Sequence, residues 1–176
     1  MRRPLRTLLF TALAIAPFLE GCRCPTVASG HPGIVFKTLA GGTSRQVLDE
    51  GMHVMPLWNS VIPYDVRVHE MKEQLSVLSS NGLPLRVEAS VRFRPNLDEL
   101  FELQTQIGTD YDSKLIAPIV RSEARKVFGR YQPEEIYSTK REEIERQIYD
   151  EVLKALKGKH VVVEAILVRD VLLPDT

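Results

Sequence analysis

A strict alternation of apolar and polar residues follows the Asn-Gly pair at residues 81–82 and constrains the fold most strongly. The apolar members are Leu83, Leu85, Val87, Ala89, Val91 and Phe93, and the polar members between them are Arg86, Glu88, Ser90, Arg92 and Arg94. A period of two places successive side chains on opposite faces of a strand, so this segment predicts an antiparallel strand with one buried face. Asn-Gly is typical of a type I′ turn, in which both central residues have positive φ, and predicts a hairpin.

After Pro95 the apolar period lengthens to that of a helix. Asn96 is the predicted cap of a first helix that ends at Gly108. A second helix is predicted from Asp110, and Pro118 marks either a kink or the true first turn of that helix. Its predicted inward stripe consists of Leu115, Ile116, Ile119, Val120 and Val127.

A third helix is predicted from Thr139, which forms a capping box with Glu142. Its apolar residues recur every four positions, at Ile144, Ile148, Val152 and Leu156, and its predicted outer face carries Glu142, Glu143, Arg146 and Asp150. Gly158 ends this helix, and the β-branched run 161–173 predicts a last strand before Pro174.

Ahead of the hairpin, residues 33–39 predict a first strand that turns at Gly41-Gly42. Residues 47–55 are its predicted partner, and residues 61–77 predict a long extended stretch. Strands followed by helices and one closing strand define an α+β fold, with a small antiparallel sheet followed by amphipathic helices.

The composition favours a globular protein and excludes one class of partner. The chain has 176 residues, of which 44% are hydrophobic and 26% are charged, and Lys plus Arg equals Asp plus Glu at 23 each. A nucleic-acid-binding protein needs a basic face, and this balance gives no sign of one, so we expect no nucleic-acid partner.

The N-terminus has the pattern of a targeting signal. Three arginines precede the apolar run 7–19, whose length suits a signal-peptide core of about 7–15 residues and falls short of the roughly 20 that span a bilayer. Leu19-Glu20-Gly21-Cys22 then resembles the lipobox of bacterial lipoproteins. The resemblance implies cleavage before Cys22, diacylglycerol on its sulfur and an acyl chain on its new amine.

Glu20 stands where that motif prefers a small or hydroxyl residue, and the alternative interpretation is an uncleaved signal anchor. Cleavage would remove three positive charges and one negative charge, leaving 20 against 22, a net of −2. Arg23 follows the cysteine, whereas an aspartate there commonly retains lipoproteins in the inner membrane. The predicted organisation is a signal peptide at 1–21, a tether at 22–32 and a domain at 33–174.

Four stretches, in this order, resemble the SPFH or Band 7 domain. This domain is shared by stomatin, prohibitin, flotillin and the bacterial prohibitin-like partners of a membrane-bound AAA protease. The stretches are DEGMHVMPLWNSVIPYDVRVHE, SSNGLPLRVEASVRFRP, IGTDYDSKLIAPIVRSEARKVFGRYQPEEIYSTKREEIERQI and VVVEAILVRDVLLP. The block from Ile107 to Ile148 is the most specific and favours the prohibitins.

The resemblance implies a non-enzymatic, membrane-tethered scaffold that organises membrane proteins, and the lipobox-like motif places it on the periplasmic side of a membrane. The alternative is a regulatory subunit that binds and restrains a membrane-bound AAA protease. The implied partners are a lipid membrane, other membrane proteins and further copies of the chain. Family members usually continue into a long coiled coil through which they form rings. Here the sequence stops at Asp175-Thr176, so either large rings do not form or the chain is a fragment.

A search for chemistry leaves Cys22, the lipidation site, as the single site residue. His31, His53, His69 and His160 are not spaced as metal ligands, and we expect them to be solvated or at strand edges. Cys22 and Cys24 lie too close together for a useful loop-closing disulfide. Adjacent residues in Tyr111-Asp112-Ser113-Lys114 and in Ser122-Glu123-Ala124-Arg125 point in different directions on a helix, so neither set makes a nucleophile–base pair. We therefore predict no catalytic, cofactor-binding or metal-binding residues.

Trp58 lies in an apolar turn with Met52, Met55, Leu57 and Val61. An indole close to an anchored end is favoured at the level of lipid headgroups. Alternatively, Trp58 covers the end of the small sheet.

Overall fold

The computed structural model describes residues 22–137 and 140–172. The predicted signal peptide, the predicted cap Thr139 and the residues from 173 onward lie outside these ranges. The chain divides after Asp65 into two compact units, which we call the N-terminal and C-terminal units. Together they contain small antiparallel sheets, helices and a closing strand, which confirms the α+β class.

The N-terminal unit consists of seven short strands. They are β1 Cys22–Arg23, β2 Thr26–Val27, β3 Gly33–Lys37, β4 Gly42–Leu48, β5 Gly51–Met52, β6 Met55–Pro56 and β7 Asn59–Pro63. β3 lies between β4 and β7, while β1 pairs with β6 and β2 pairs with β5, all antiparallel.

The partner of the first strand differs from the prediction. Gly41 and Gly42 both have positive φ, so the chain reverses at once and β4 begins at Gly42 instead of at residue 47. The prediction of one long extended stretch over 61–77 is also wrong, because the structure has two separate strands there. Pro63 ends β7, and the buried Tyr64 donates its backbone N–H to the carbonyl of Pro32 at 2.9 Å.

The core of the N-terminal unit is a small apolar cluster of Val27, Val35, Leu48 and Met55, with Val61 packed against it. Val27 belongs to the segment for which the sequence predicts a tether. In the structure this segment pairs with β5 and β6, so residues 22–27 take part in the sheets of the unit.

The C-terminal unit is built on three long strands, β8 His69–Leu78, β9 Pro84–Pro95 and β10 Val161–Leu172, in the order β10-β9-β8. The predicted alternation in β9 is confirmed. Leu85, Val87, Ala89, Val91 and Phe93 are buried, whereas Arg86 and Arg92 are exposed. The sheet therefore has one apolar face and one open face.

Four helices accompany the sheet: α1 Leu100–Gln106, α2 Ala117–Phe128, α3 Pro133–Tyr137 and α4 Arg141–Leu156. The first follows a 3₁₀ turn at Leu97–Glu99, which Asn96 caps as predicted. A π-helical turn at Asp112–Ile116 precedes α2, and Pro118 stands in the first turn of α2, which confirms the second of the two predicted roles.

Helices α2 and α4 contact the edge strands β8 and β10, respectively. The predicted stripe on α4 is confirmed, because Ile144, Ile148, Val152 and Leu156 are all buried. Helix α3 was not predicted, although Pro133 at its first position and the acidic Glu134 and Glu135 are typical of a helix start.

The hairpin between β8 and β9 is confirmed, but the predicted turn type is wrong. Leu78 pairs with Pro84, so five residues connect the strands. Gly82 has φ of 82° and donates its N–H to the carbonyl of Ser79 at 2.9 Å, whereas Asn81 is not in a positive-φ conformation. This is a turn followed by one left-handed residue, and the buried Ser79 hydroxyl donates to the Asn81 side chain at 2.6 Å.

Substitution Gly82→Ala tests this turn. A Cβ atom at Gly82 would meet no other atom within 4 Å, so strain in the left-handed backbone is the only expected cost, about 1–2 kcal/mol of unfolding free energy. Urea denaturation followed by circular dichroism measures it. The control Ser80→Ala, in the same turn, should change stability by less than about 0.5 kcal/mol. Equal unfolding midpoints for the two variants would contradict the assignment.

Candidate functional site

The strand register of the N-terminal unit brings three segments to one end. Lys37, the last residue of β3, pairs with both Gly42 and Asn59, so the turns at 38–41 and 57–58 lie side by side. Cys22 pairs with Pro56, the residue immediately before the second turn. We call this region, comprising Cys22 and the two turns, the Cys22 end.

Apolar side chains are exposed at the Cys22 end. Leu39 in the first turn is 74% exposed, and Leu57 and Trp58 in the second turn are 55% and 51% exposed. Met55, by contrast, is buried in the core cluster. The apolar group noted in the sequence is therefore divided. Met55 is buried and half of the Trp58 surface is exposed, while Met52, in β5 two residues after Glu50, is 72% exposed.

Charge is segregated along the same unit. Asp49, Glu50 and Asp65 are the only acidic residues between Cys22 and Asp65. Asp49 and Glu50 directly follow Leu48, and Asp65 lies two residues after Pro63. Because Leu48 and Pro63 both pair with Gly33 at the start of β3, the three carboxylates lie at the end opposite Cys22. The same stretch holds three Lys and Arg residues. Arg23 lies one residue pair from Cys22 and Lys37 lies at the 38–41 turn, whereas Arg45 lies within β4.

A cleft of about 340 Å³ opens in this unit. Its walls include Arg23, Met55 and Asn59 from the elements near Cys22, and His31 and Pro63 towards the other end. The lining mixes cationic, amide, hydroxyl and aliphatic groups.

The histidines occupy four separate environments. His31 lies 3.5 Å from the Asp65 carboxylate, the His53 ring contacts the Asp49 carbonyl at 2.8 Å, and His69 lies against Phe93. His160 differs from the prediction of a solvated or strand-edge residue. Its side chain is only 13% exposed and its Nδ1 contacts Glu99 Oε2 at 2.8 Å. The His160 backbone has a left-handed φ of 65°. No local pattern in the sequence predicts that conformation.

The short polar runs considered in the sequence form structural pairs. Lys114 Nζ donates to Asp110 at 3.0 Å and the Ser113 hydroxyl donates to the Asp110 carbonyl, so neither engages the other. Glu123 pairs with Lys126 at 2.6 Å. Over residues 22–137 and 140–172, no group of three or more His, Cys, Asp or Glu side chains could hold a metal ion.

The open face of the C-terminal sheet carries a polar network centred on Glu70. The Ser90 hydroxyl, on a residue with no exposed surface, donates to Glu70 Oε1, and Arg169 donates to the same oxygen. These hydrogen bonds, that of Ser90 first, hold the pKa of Glu70 below its ordinary value. Because the pKa is lowered, this contribution to stability is present above the ordinary pKa and is lost as the pH falls through the lowered one.

Substitution Ser90→Ala should move the pKa of Glu70 upward, because it removes the larger of the two hydrogen bonds. An NMR titration of the side-chain carboxyl carbon measures the change. Ser76→Ala, on the exposed side of the same sheet, is the matched control and should leave the pKa of Glu70 where it is. A Glu70 pKa that stays the same in both variants would show that Ser90 does not stabilise the carboxylate.

The architecture is that of a known class. The family model of the SPFH domain / Band 7 family matches residues 25–176, and the chain belongs to this family. The resemblance drawn from the four sequence stretches is thereby confirmed.

Within the family the chain is similar to prohibitins. It is 24% identical to prohibitin-2 of Mus musculus over 146 residues, which are 82% of this chain and 48% of that protein. It is 27% identical to prohibitin 1 of Mus musculus over 142 residues, 80% of this chain and 52% of that protein. Prohibitin-2 of Xenopus tropicalis matches at 24%. The chain thus spans about half the length of the curated relatives it matches.

Within the described part of the chain, none of the helices combines the length and apolarity that a membrane crossing requires.

Proposed function

We propose that this protein is a non-enzymatic scaffold of the SPFH class, held at a membrane through lipid on Cys22 and acting on other membrane proteins. The observation that carries the proposal is the position of Cys22. It is exposed, and it pairs with Pro56 at the end of the N-terminal unit where Leu39, Leu57 and Trp58 are exposed. An anchor at this residue would hold that end against the bilayer.

Membership of the SPFH family and similarity to prohibitins support the scaffold role. The polar pairs around Asp110, Glu70 and Glu123 are each engaged within the fold. Function then depends on where the domain is held and on what its surfaces contact. The N-terminal lipobox-like motif supports a location on the periplasmic side of a bacterial membrane.

The lipid anchor is tested by the intact mass of the N-terminal peptide from protein extracted in detergent from its own cells. We expect a peptide that begins at Cys22 and carries acyl chains, because several acyl chains together give stable membrane attachment. In Cys22→Ala the acylated peptide should disappear. The matched control Cys24→Ala, two residues on, should retain it.

An unmodified peptide that begins at Met1 would overturn lipidation and leave a signal anchor as the attachment. The scaffold role has its own test, in which chemical cross-linking in intact cells precedes detergent extraction. Recovery of the chain in complexes with several membrane proteins supports a scaffold. Exclusive recovery with one membrane protease would replace it with the regulatory role, and recovery of the monomer alone would overturn both.

A further inference from the structure

The Cys22 end combines three features that together define an interaction surface. Leu39, Leu57 and Trp58 are each more than half exposed. The register places their two turns next to the point where the polypeptide enters the unit. Arg23 and Lys37 supply positive charge there, while Asp49, Glu50 and Asp65 lie at the opposite end.

We infer that the Cys22 end is a second membrane contact, in which Leu39, Leu57 and Trp58 enter the headgroup region of a bilayer and Arg23 and Lys37 select anionic lipids. This inference deepens the proposed function and rests on it, since the anchor brings the surface to the membrane. The occupant is lipid because an indole flanked by aliphatic side chains and cations matches the apolar and anionic layers of a bilayer interface.

The charge distribution gives the contact a direction. If the acidic end faced the bilayer, Asp49, Glu50 and Asp65 would be repelled by anionic headgroups. With the Cys22 end facing it, the carboxylates lie beyond the length of β3, five residues or about 13 Å away, which exceeds a Debye length of about 8 Å at physiological salt. The N-terminal unit is therefore oriented by its own charges as well as by its anchor.

Trp58 is the only tryptophan in the chain, so the contact carries its own fluorescent probe. The full chain is reconstituted into vesicles containing phosphatidylglycerol, and flotation first establishes that the protein is attached. Trp58 emission is then quenched with acrylamide from the water phase and with lipids brominated on the acyl chain. We expect the brominated lipids to quench strongly and acrylamide weakly.

A matched control moves the probe to the other end of the same unit. The double variant Trp58→Phe/Glu50→Trp places the single tryptophan at an exposed position beyond β4. Its emission should respond to acrylamide and not to brominated lipid. The variant Lys37→Gln tests lipid selection. Removal of one cation near the surface should weaken partitioning to phosphatidylglycerol about fivefold and leave partitioning to phosphatidylcholine unchanged.

Each outcome decides between the proposals. Failure of the chain to float with vesicles would overturn membrane attachment and hence the proposed function. Flotation with Trp58 open to acrylamide would overturn only the second contact. Protection of Trp58 from both quenchers would show that a protein surface, such as a second copy of the chain, covers the Cys22 end instead of lipid. Equal behaviour of Lys37→Gln and the unchanged chain on anionic vesicles would overturn the selection of anionic lipids.

Discussion

Pairing of β9 with a neighbour on each side organises the whole C-terminal unit. β8 and β10 follow it over almost its full length, so its apolar side chains become the centre of a three-stranded face. Burial of that face, worth roughly 25 cal/mol for each Å² of apolar surface, requires a covering layer, and α2 and α4 contribute it. Helices α2 and α4 are therefore positioned by the burial of the apolar face of the sheet.

Helix α4 also binds backbone groups on the free edge of β10. Arg141 donates to the carbonyls of Val168 and Arg169, and Glu145 accepts from the Val168 N–H at 2.9 Å. Unpaired strand groups invite another chain to pair with them. Here Arg141 and Glu145 of α4 bind the unpaired backbone groups of β10 beside the β-bulge between Val168 and Asp170. Another strand therefore cannot pair with this stretch of the edge.

The N-terminal unit has the opposite character, with seven short strands, a small core and a large share of its apolar side chains outside it. Its register determines which turns lie at the same end. Arg23 and Lys37 lie near the Cys22 end, and the carboxylates lie at the other. This distribution of exposed apolar side chains and cations is the one that the proposed membrane contact uses.

The sequence by itself determined the α+β class, the buried face of β9, the stripe of α4 and the cap at Asn96, because each depends on local periodicity or on one residue's backbone preference. Lipidation of Cys22 and a headgroup position for Trp58 stay predictions from the sequence. Only the tertiary structure decided that β4 starts at Gly42, that Asn81 stays out of the left-handed region and that His160 turns inward to Glu99. These features depend on partners distant in the chain, as does the meeting of Cys22, Leu39 and Trp58 at one end. Local sequence patterns do not predict which strands pair, because the register depends on both strands of a pair.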